Sequence, residues 1–267
     1  MTDSGSEQPP LLLEQDGAVV TITINDPPRN RLGLEFMDEL ETLVAELATD
    51  KSAHAIVLRG AGEEHFSVGM NLKQLPEGVR RMGSMEALLD QRLRVLAAIE
   101  SMEKPWIAVM RGYCLGGGLE LPLACHFRVA AADGAKIGLP ELELGTVPAW
   151  GGTVRLTRCV GRDQALDMIL RGKMISGAEA LRIGLVHEVW PNDELQQRAH
   201  DLAQELAAGP AIAVAGVLRS IVGAQDKTLE DALAEERRAV IQTMGTKDQR
   251  EGMSAFLEKR KPEFTGE

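Results

Sequence analysis

Val20, Ile22 and Ile24 alternate with Thr21 and Thr23 at period two. Together with Leu11-Leu12-Leu13 across Asp16-Gly17 they predict a β-hairpin, closed by the turn residues Pro27-Pro28-Arg29-Asn30. Phe36, Leu40, Leu43 and Leu47 then recur at helical spacing. Ala55-Ile56-Val57-Leu58 reads as a short buried strand ended by Gly60-Ala61-Gly62. The polar, glycine-containing segment from Lys73 to Ser84 reads as a loop or mobile helix over a site, or equally as a surface insertion. Leu89, Leu93, Leu96 and Met102 predict a helix before Lys104-Pro105, and Trp106 to Met110 and Phe127 to Ala130 predict strands. Strand and helix thus alternate, as expected where helical crossovers join strands.

Beyond Gly151 the pattern turns helical, with apolar periodicity over Val154 to Val160 and Ala165 to Leu170. Ser176 to Glu179 and Thr246 to Gln249 fit the capping box, in which a hydroxyl and a side chain three residues on satisfy each other's backbone donors. Gly184-Leu185-Val186 to Trp190-Pro191 reads as a last short strand. From about Asn192 four helical stretches follow, broken near Gly209-Pro210, Gly223 and Gly245. The expected organisation is a polar tail over residues 1–10, an α/β core over 11–191 and a helical region over 192–267, with no long linker and no internal repeat.

Composition narrows the function. Lysine and arginine total 29 against 40 aspartates and glutamates, a net charge of −11. This disfavours generic nucleic-acid or anionic-membrane binding, which wants a basic field, though a few local cations can still hold a phosphate. One tyrosine makes base-stacking platforms improbable. Cys114, Cys125 and Cys159 have no metal-ligand spacing, and the first two sit in apolar surroundings, as reduced thiols of a cytoplasmic protein would. Neither an apolar leader nor a run of about 18 apolar residues is visible, so no secretion and no membrane span are expected.

Three stretches carry candidate chemistry. In Gly112 to Glu120, the strand Trp106 to Met110 runs into Gly116-Gly117-Gly118 and then into a segment, Leu119 to Ala124, that can continue as helix. A helix N-terminus presents unpaired N–H groups and partial positive charge, which suits a developing oxyanion. Glu120 lies one turn beyond the first glycine, within reach of the same ligand. A tight turn without chemistry explains the glycines equally well. The second stretch is His65-Phe66-Ser67-Val68-Gly69-Met70-Asn71-Leu72-Lys73, and the third runs from Leu139-Pro140-Glu141 to Gly151-Gly152-Thr153.

These blocks, in this order and at these spacings, resemble the enoyl-CoA hydratase/isomerase (crotonase) superfamily from about Leu11 to Phe264. The tail from Arg250 to Lys261 resembles the end of enoyl-CoA hydratases in particular. The resemblance implies a spiral of ββα units with a C-terminal helical region that packs against neighbouring subunits as trimers or hexamers. It implies a backbone oxyanion hole from the N–H groups of Met70 and Gly117, water activation by Glu120 and proton delivery to C2 by Glu141. Because both carboxylate positions are glutamate, it favours a hydratase over an isomerase. No tightly bound cofactor is implied, only coenzyme A as part of the substrate, along Ser67-Val68-Gly69 and with phosphates near Arg29, Lys73 and Lys259. Each of those cations also reads as a solvated surface charge, Met70 as a core filler, and Glu143 as an ion-pair partner of an arginine. Three departures bear on the acyl group: Trp150 where many relatives have a small residue, Asn71 for a common aspartate, and Val240 where hydratases often carry an aromatic. No residue cluster suggests a metal, and a non-catalytic RNA-binding member would need a basic face and damaged glutamates.

Overall fold

The structure, a computed structural model, describes residues 8–267; the first seven residues of the expected tail lie outside the described residues. The chain runs through β1 (Leu11–Asp16), β2 (Val19–Ile24), α1 (Leu34–Thr49), β3 (Ala55–Gly60), a 3-10 turn (Leu72–Gln74), α2 (Leu75–Met82) and α3 (Met85–Glu100). It continues with β4 (Trp106–Met110), β5 (Tyr113–Leu115), α4 (Gly117–Ala124), β6 (Phe127–Ala131), β7 (Lys136–Gly138) and a second 3-10 turn (Glu141–Leu144). Then follow α5 (Gly152–Val160), α6 (Arg162–Leu170), α7 (Gly177–Arg182), β8 (Glu188–Trp190), α8 (Leu195–Ala207), α9 (Ala211–Val222), α10 (Leu229–Thr243) and α11 (Lys247–Glu258).

The large sheet has the order β1-β2-β3-β4-β6-β8; the β1–β2 hairpin is antiparallel and every later pairing parallel. β5 and β7 form a small parallel sheet, extended by bridges between Ser67 and Cys114 and between Leu32 and Met70. Successive chain turns, β4-β5-α4 and then β6-β7-turn-α5, each leave one strand in the large sheet and one in the small one. That is the expected spiral of ββα units.

A parallel sheet is covered on both faces, so its strands read as continuous apolar runs. In β3, Ile56 and Leu58 face the main core with α1 and α3, while Ala55 and Val57 face the other way. The second face is closed by Leu195, Ala199, Ala203 and Ala207 of α8, whose small residues let the helix lie close on the strands. By packing, α8, the first helix of the expected 192–267 region, closes the second face of the large sheet.

The segment after Lys73, read as a loop or a helix, is the helix α2, closed by Gly83 in a left-handed conformation. Other elements differ from the expected ones. Gly184 to Val186 is a turn in which Leu185 N and Val186 N both donate to Ala180 O, so the last strand is only Glu188–Trp190. Met102 lies past the end of α3 yet stays buried in its core. Thr246 caps α11 as expected, but Gln249 Oε1 returns to the N–H of Gly245 rather than Thr246.

Candidate active site

The site is organised by α4, every residue of which is buried. Gly116 sits at φ 55° and ψ −129°, a conformation closed to residues with a Cβ, and this lets the chain leave β5 and enter the helix at once. Gly116 O accepts from Leu119 N and Glu120 N, opening the helix and leaving the Gly117 N–H without an intrahelical acceptor. Pro122, inside the helix, cannot donate to Gly118 O. The Cys114 thiol takes that role, 3.1 Å from Gly118 O. The cysteine read from sequence as a core filler thus satisfies a backbone carbonyl that the proline frees.

The second N–H comes from the Ser67–Met70 segment. Leu32 N donates to Gly69 O at 2.9 Å and Asn71 N to Leu32 O at 3.0 Å. In such a parallel bridge the paired residue, here Met70, turns its own N–H to the other side. Neither the Met70 nor the Gly117 N–H has a hydrogen-bond acceptor among the described residues. The two segments touch: a Cβ on Gly69 would stand 3.3 Å from Gly117 N, and one on Gly118 2.6 Å from Ser67 O. Glycine at both positions allows the approach. Ser67 Oγ accepts from Gly69 N at 3.0 Å and fixes the turn.

Glu120 projects from α4 and is 2% exposed. Its Oε1 accepts from Trp150 N at 2.7 Å and Gly152 N at 2.8 Å. Burial pushes its carboxyl from the ordinary 4.5 up to about 7; the two N–H bonds oppose the rise, the negative charge of Glu141 adds to it and Arg155 opposes it. Glu141 opens the second 3-10 turn and is half-buried. Its Oε1 lies against Gly116, 2.9 Å from where a Cβ would be, and its Oε2 is buried with no hydrogen-bond partner. Burial raises its carboxyl as well. The Trp150 ring, 3% exposed, lies on Gly117, with Cζ3 2.8 Å from the position of a Cβ there.

The remaining expected residues are placed less tightly. Val68 is half-buried and donates its N–H to Arg29 O at 3.0 Å, so Arg29 meets the Ser67–Gly69 segment through its backbone. The Arg29 and Lys73 side chains are exposed, Lys73 on the first 3-10 turn. Lys259 is exposed at the left-handed C-cap of α11. Glu143 forms no ion pair among the described residues; its Oε1 packs on Gly172. His65 Nδ1 accepts from Tyr113 N, a structural task. The sequence reading missed the N–H groups of Trp150 and Gly152 as the seat of Glu120. A signal existed, since Gly151-Gly152 opens a helix whose first donors are free. It also missed Arg155, which a helix-facing arginine does not betray by spacing.

A model of the family described as enoyl-CoA hydratase/isomerase matches residues 14–267. The chain is 38% identical over 259 residues to a probable enoyl-CoA hydratase of Bacillus subtilis, covering 96% of this chain and 99% of that protein. It is 35% identical over 254 residues to a short-chain-enoyl-CoA hydratase of Clostridium acetobutylicum, covering 95% and 96%. Among solved structures, the Geobacillus kaustophilus enoyl-CoA hydratase superimposes with a TM-score of 0.92 at 30% identity, covering 98% of each chain. The fold and the match over nearly the whole chain define the class: this chain belongs to the enoyl-CoA hydratase/isomerase family.

Proposed function

We propose that the chain adds water across the C2–C3 double bond of a 2-enoyl-CoA to give a 3-hydroxyacyl-CoA. The observation that carries this reading is one site with two acceptor-free backbone N–H groups and two glutamates whose carboxyls are both raised by burial. The thioester oxygen takes hydrogen bonds from Met70 N–H and Gly117 N–H, each donor worth about 2.7–4 kcal/mol as charge develops. Glu120, ionised, takes a proton from water while the hydroxyl bonds to C3. Glu141, protonated, gives its proton to C2. A base near pH 7 matches its task, because catalytic acids and bases work best with pKa values near the working pH.

Coenzyme A is bound as part of the substrate, along Ser67-Val68-Gly69, with Arg29, Lys73 and Lys259 near its phosphates; no tightly held cofactor is required. The Trp150 ring favours a short acyl group. Ile221, Leu233, Ile241, Phe256 and Leu257 leave an apolar surface on α9, α10 and α11, and further copies of the chain, as a trimer or a pair of trimers, are its proposed cover. A stable monomer by light scattering at micromolar concentration would rule that out.

The test is an assay of purified protein with crotonyl-CoA, followed as loss of the conjugated enoyl-thioester absorbance. Hydration is the expected result. No hydration, with gain of that absorbance from a 3-enoyl-CoA, replaces the reading by double-bond isomerisation.

A further inference from the structure

Arg155 is half-buried beside the proposed base, with 11% of its side chain exposed, and its hydrogen bonds go to Trp150 and Glu100. Its Nη1 donates to Trp150 O at 2.9 Å and its Nε to Glu100 Oε2 at 2.9 Å. Its Nη2 stands 2.8 Å from the same carboxylate oxygen. The 150–152 turn is therefore gripped from two sides. Its N–H groups at Trp150 and Gly152 hold Glu120, while its first carbonyl is held by Arg155. Gly151 lies between at φ 95°, and a Cβ there would come within 2.3 Å of Arg155 Nη1. The guanidinium thus rests directly on the turn's backbone. Glu100 ends α3, and its own carbonyl faces His126 Nε2 at 3.2 Å.

We propose that Arg155, anchored by Glu100, is the positioning residue that holds the 150–152 turn in the shape that seats the Glu120 carboxylate. This rests on the hydratase reading only for the meaning of Glu120 in turnover. The geometry offers the chain Glu100, Arg155, Trp150 O, Trp150 N–H and Glu120, which crosses from α3 through α5 to α4. It also places a fixed positive charge where it favours the ionised form of Glu120. The charged groups and histidines around the pair are Glu120 and Glu141 on the site side, and Glu100, His126, Arg128, Arg158 and His187 on the other. Arg158 is itself paired with Asp226. On that other side Glu100 and Arg155 line a cavity of about 330 Å³.

The experiment compares full-length wild type with Arg155→Met and Arg155→Lys. Glu120 titration is read by carboxyl-labelled glutamate NMR, assigned with Glu120→Gln. Losing the charge removes a stabiliser of the carboxylate, so in Arg155→Met Glu120 is expected to titrate at higher pH, by about half a unit or more. The acidic limb of kcat moves the same way, kcat falls about tenfold or more and KM stays within about threefold. Guanidinium ion restores part of the loss. Arg155→Lys keeps the charge without the two-sided grip, so it titrates as wild type but loses about threefold or more in kcat. A folded Arg155→Met with unchanged Glu120 titration and kcat within about twofold overturns the proposal. Should Arg155→Met fail to fold, Arg155→Lys at wild-type kcat overturns it. Should the wild type hydrate no enoyl-CoA, the NMR titration still decides, so the two readings fail separately.

Discussion

Glu120 and Glu141 share one site but are seated in opposite ways. Glu120 comes from a wholly buried helix, and one of its oxygens takes two backbone N–H bonds fixed by the next helix. Glu141 comes from a half-exposed 3-10 turn, and one of its oxygens is buried with nothing to accept from. Burial outweighs the two bonds in the first seat and pushes that carboxyl up to about 7, while the bonds fix where the carboxylate sits once it ionises. Burial raises the carboxyl in the second seat as well, where one buried oxygen has no hydrogen-bond partner. In the proposed mechanism the two differently held side chains serve opposite proton transfers, as paired carboxyls divide acid and base work.

The largest effect should come from removing either proton. Glu120→Gln and Glu141→Gln each keep an amide that can orient water but cannot exchange its proton. Each should lose at least about a hundredfold in kcat for crotonyl-CoA. Saturated acyl-CoA should still bind to both, since the proposed oxyanion donors are backbone groups. If Glu141→Gln keeps more than about a tenth of the activity, the division of labour is broken.

A smaller effect separates the seats by stability. Glu120 titrates near 7 in the folded chain against an ordinary 4.5, so between those values the native state binds more protons than the unfolded state. Stability from this group is complete below about 4.5 and is lost as pH rises through about 7. Glutamine keeps an oxygen for both N–H groups and carries no charge. Glu120→Gln should therefore gain about 2–3 kcal/mol over wild type on going from pH 5 to pH 8, measured by urea unfolding. A stability difference independent of pH would deny Glu120 its buried, raised carboxyl.

The smallest effect concerns the residue that joins the seat to the pocket. Trp150 supplies Glu120 with a backbone N–H and lays its ring on Gly117. Trp150→Gly keeps the N–H and removes the ring, so longer acyl chains should be accepted while short-chain turnover stays within about tenfold. Efficient hydration of long-chain enoyl-CoA by the wild type would contradict the ring's role.

Where burial followed a simple period, the fold could be read in advance. The alternation of Val20, Ile22 and Ile24 gave β2, because those three face the main core, and the Phe36 to Leu47 spacing gave α1, because one face of that helix does. The Lys73 to Ser84 segment could not be decided in this way, since α2 is short, mostly exposed and carries Gly78 on its buried side. The glycine stretch and Glu120 were legible as a helix N-terminus with an acid one turn on. The seat of Glu120 was not, because Trp150 and Gly152 act through backbone groups brought there by the spiral rather than by sequence distance. Arg155 was hidden for the same reason, as its partners lie on α3 and on the turn before its own helix.

Most direct for the central claim is kcat for crotonyl-CoA in Glu120→Gln, Glu141→Gln and the double variant, measured side by side. Residues that serve one water act as a unit, so their losses do not add. The double variant is predicted to be little slower than the poorer single one. Losses that multiply, so that the double variant falls by the product of the singles, would show two independent contributions and contradict a shared water.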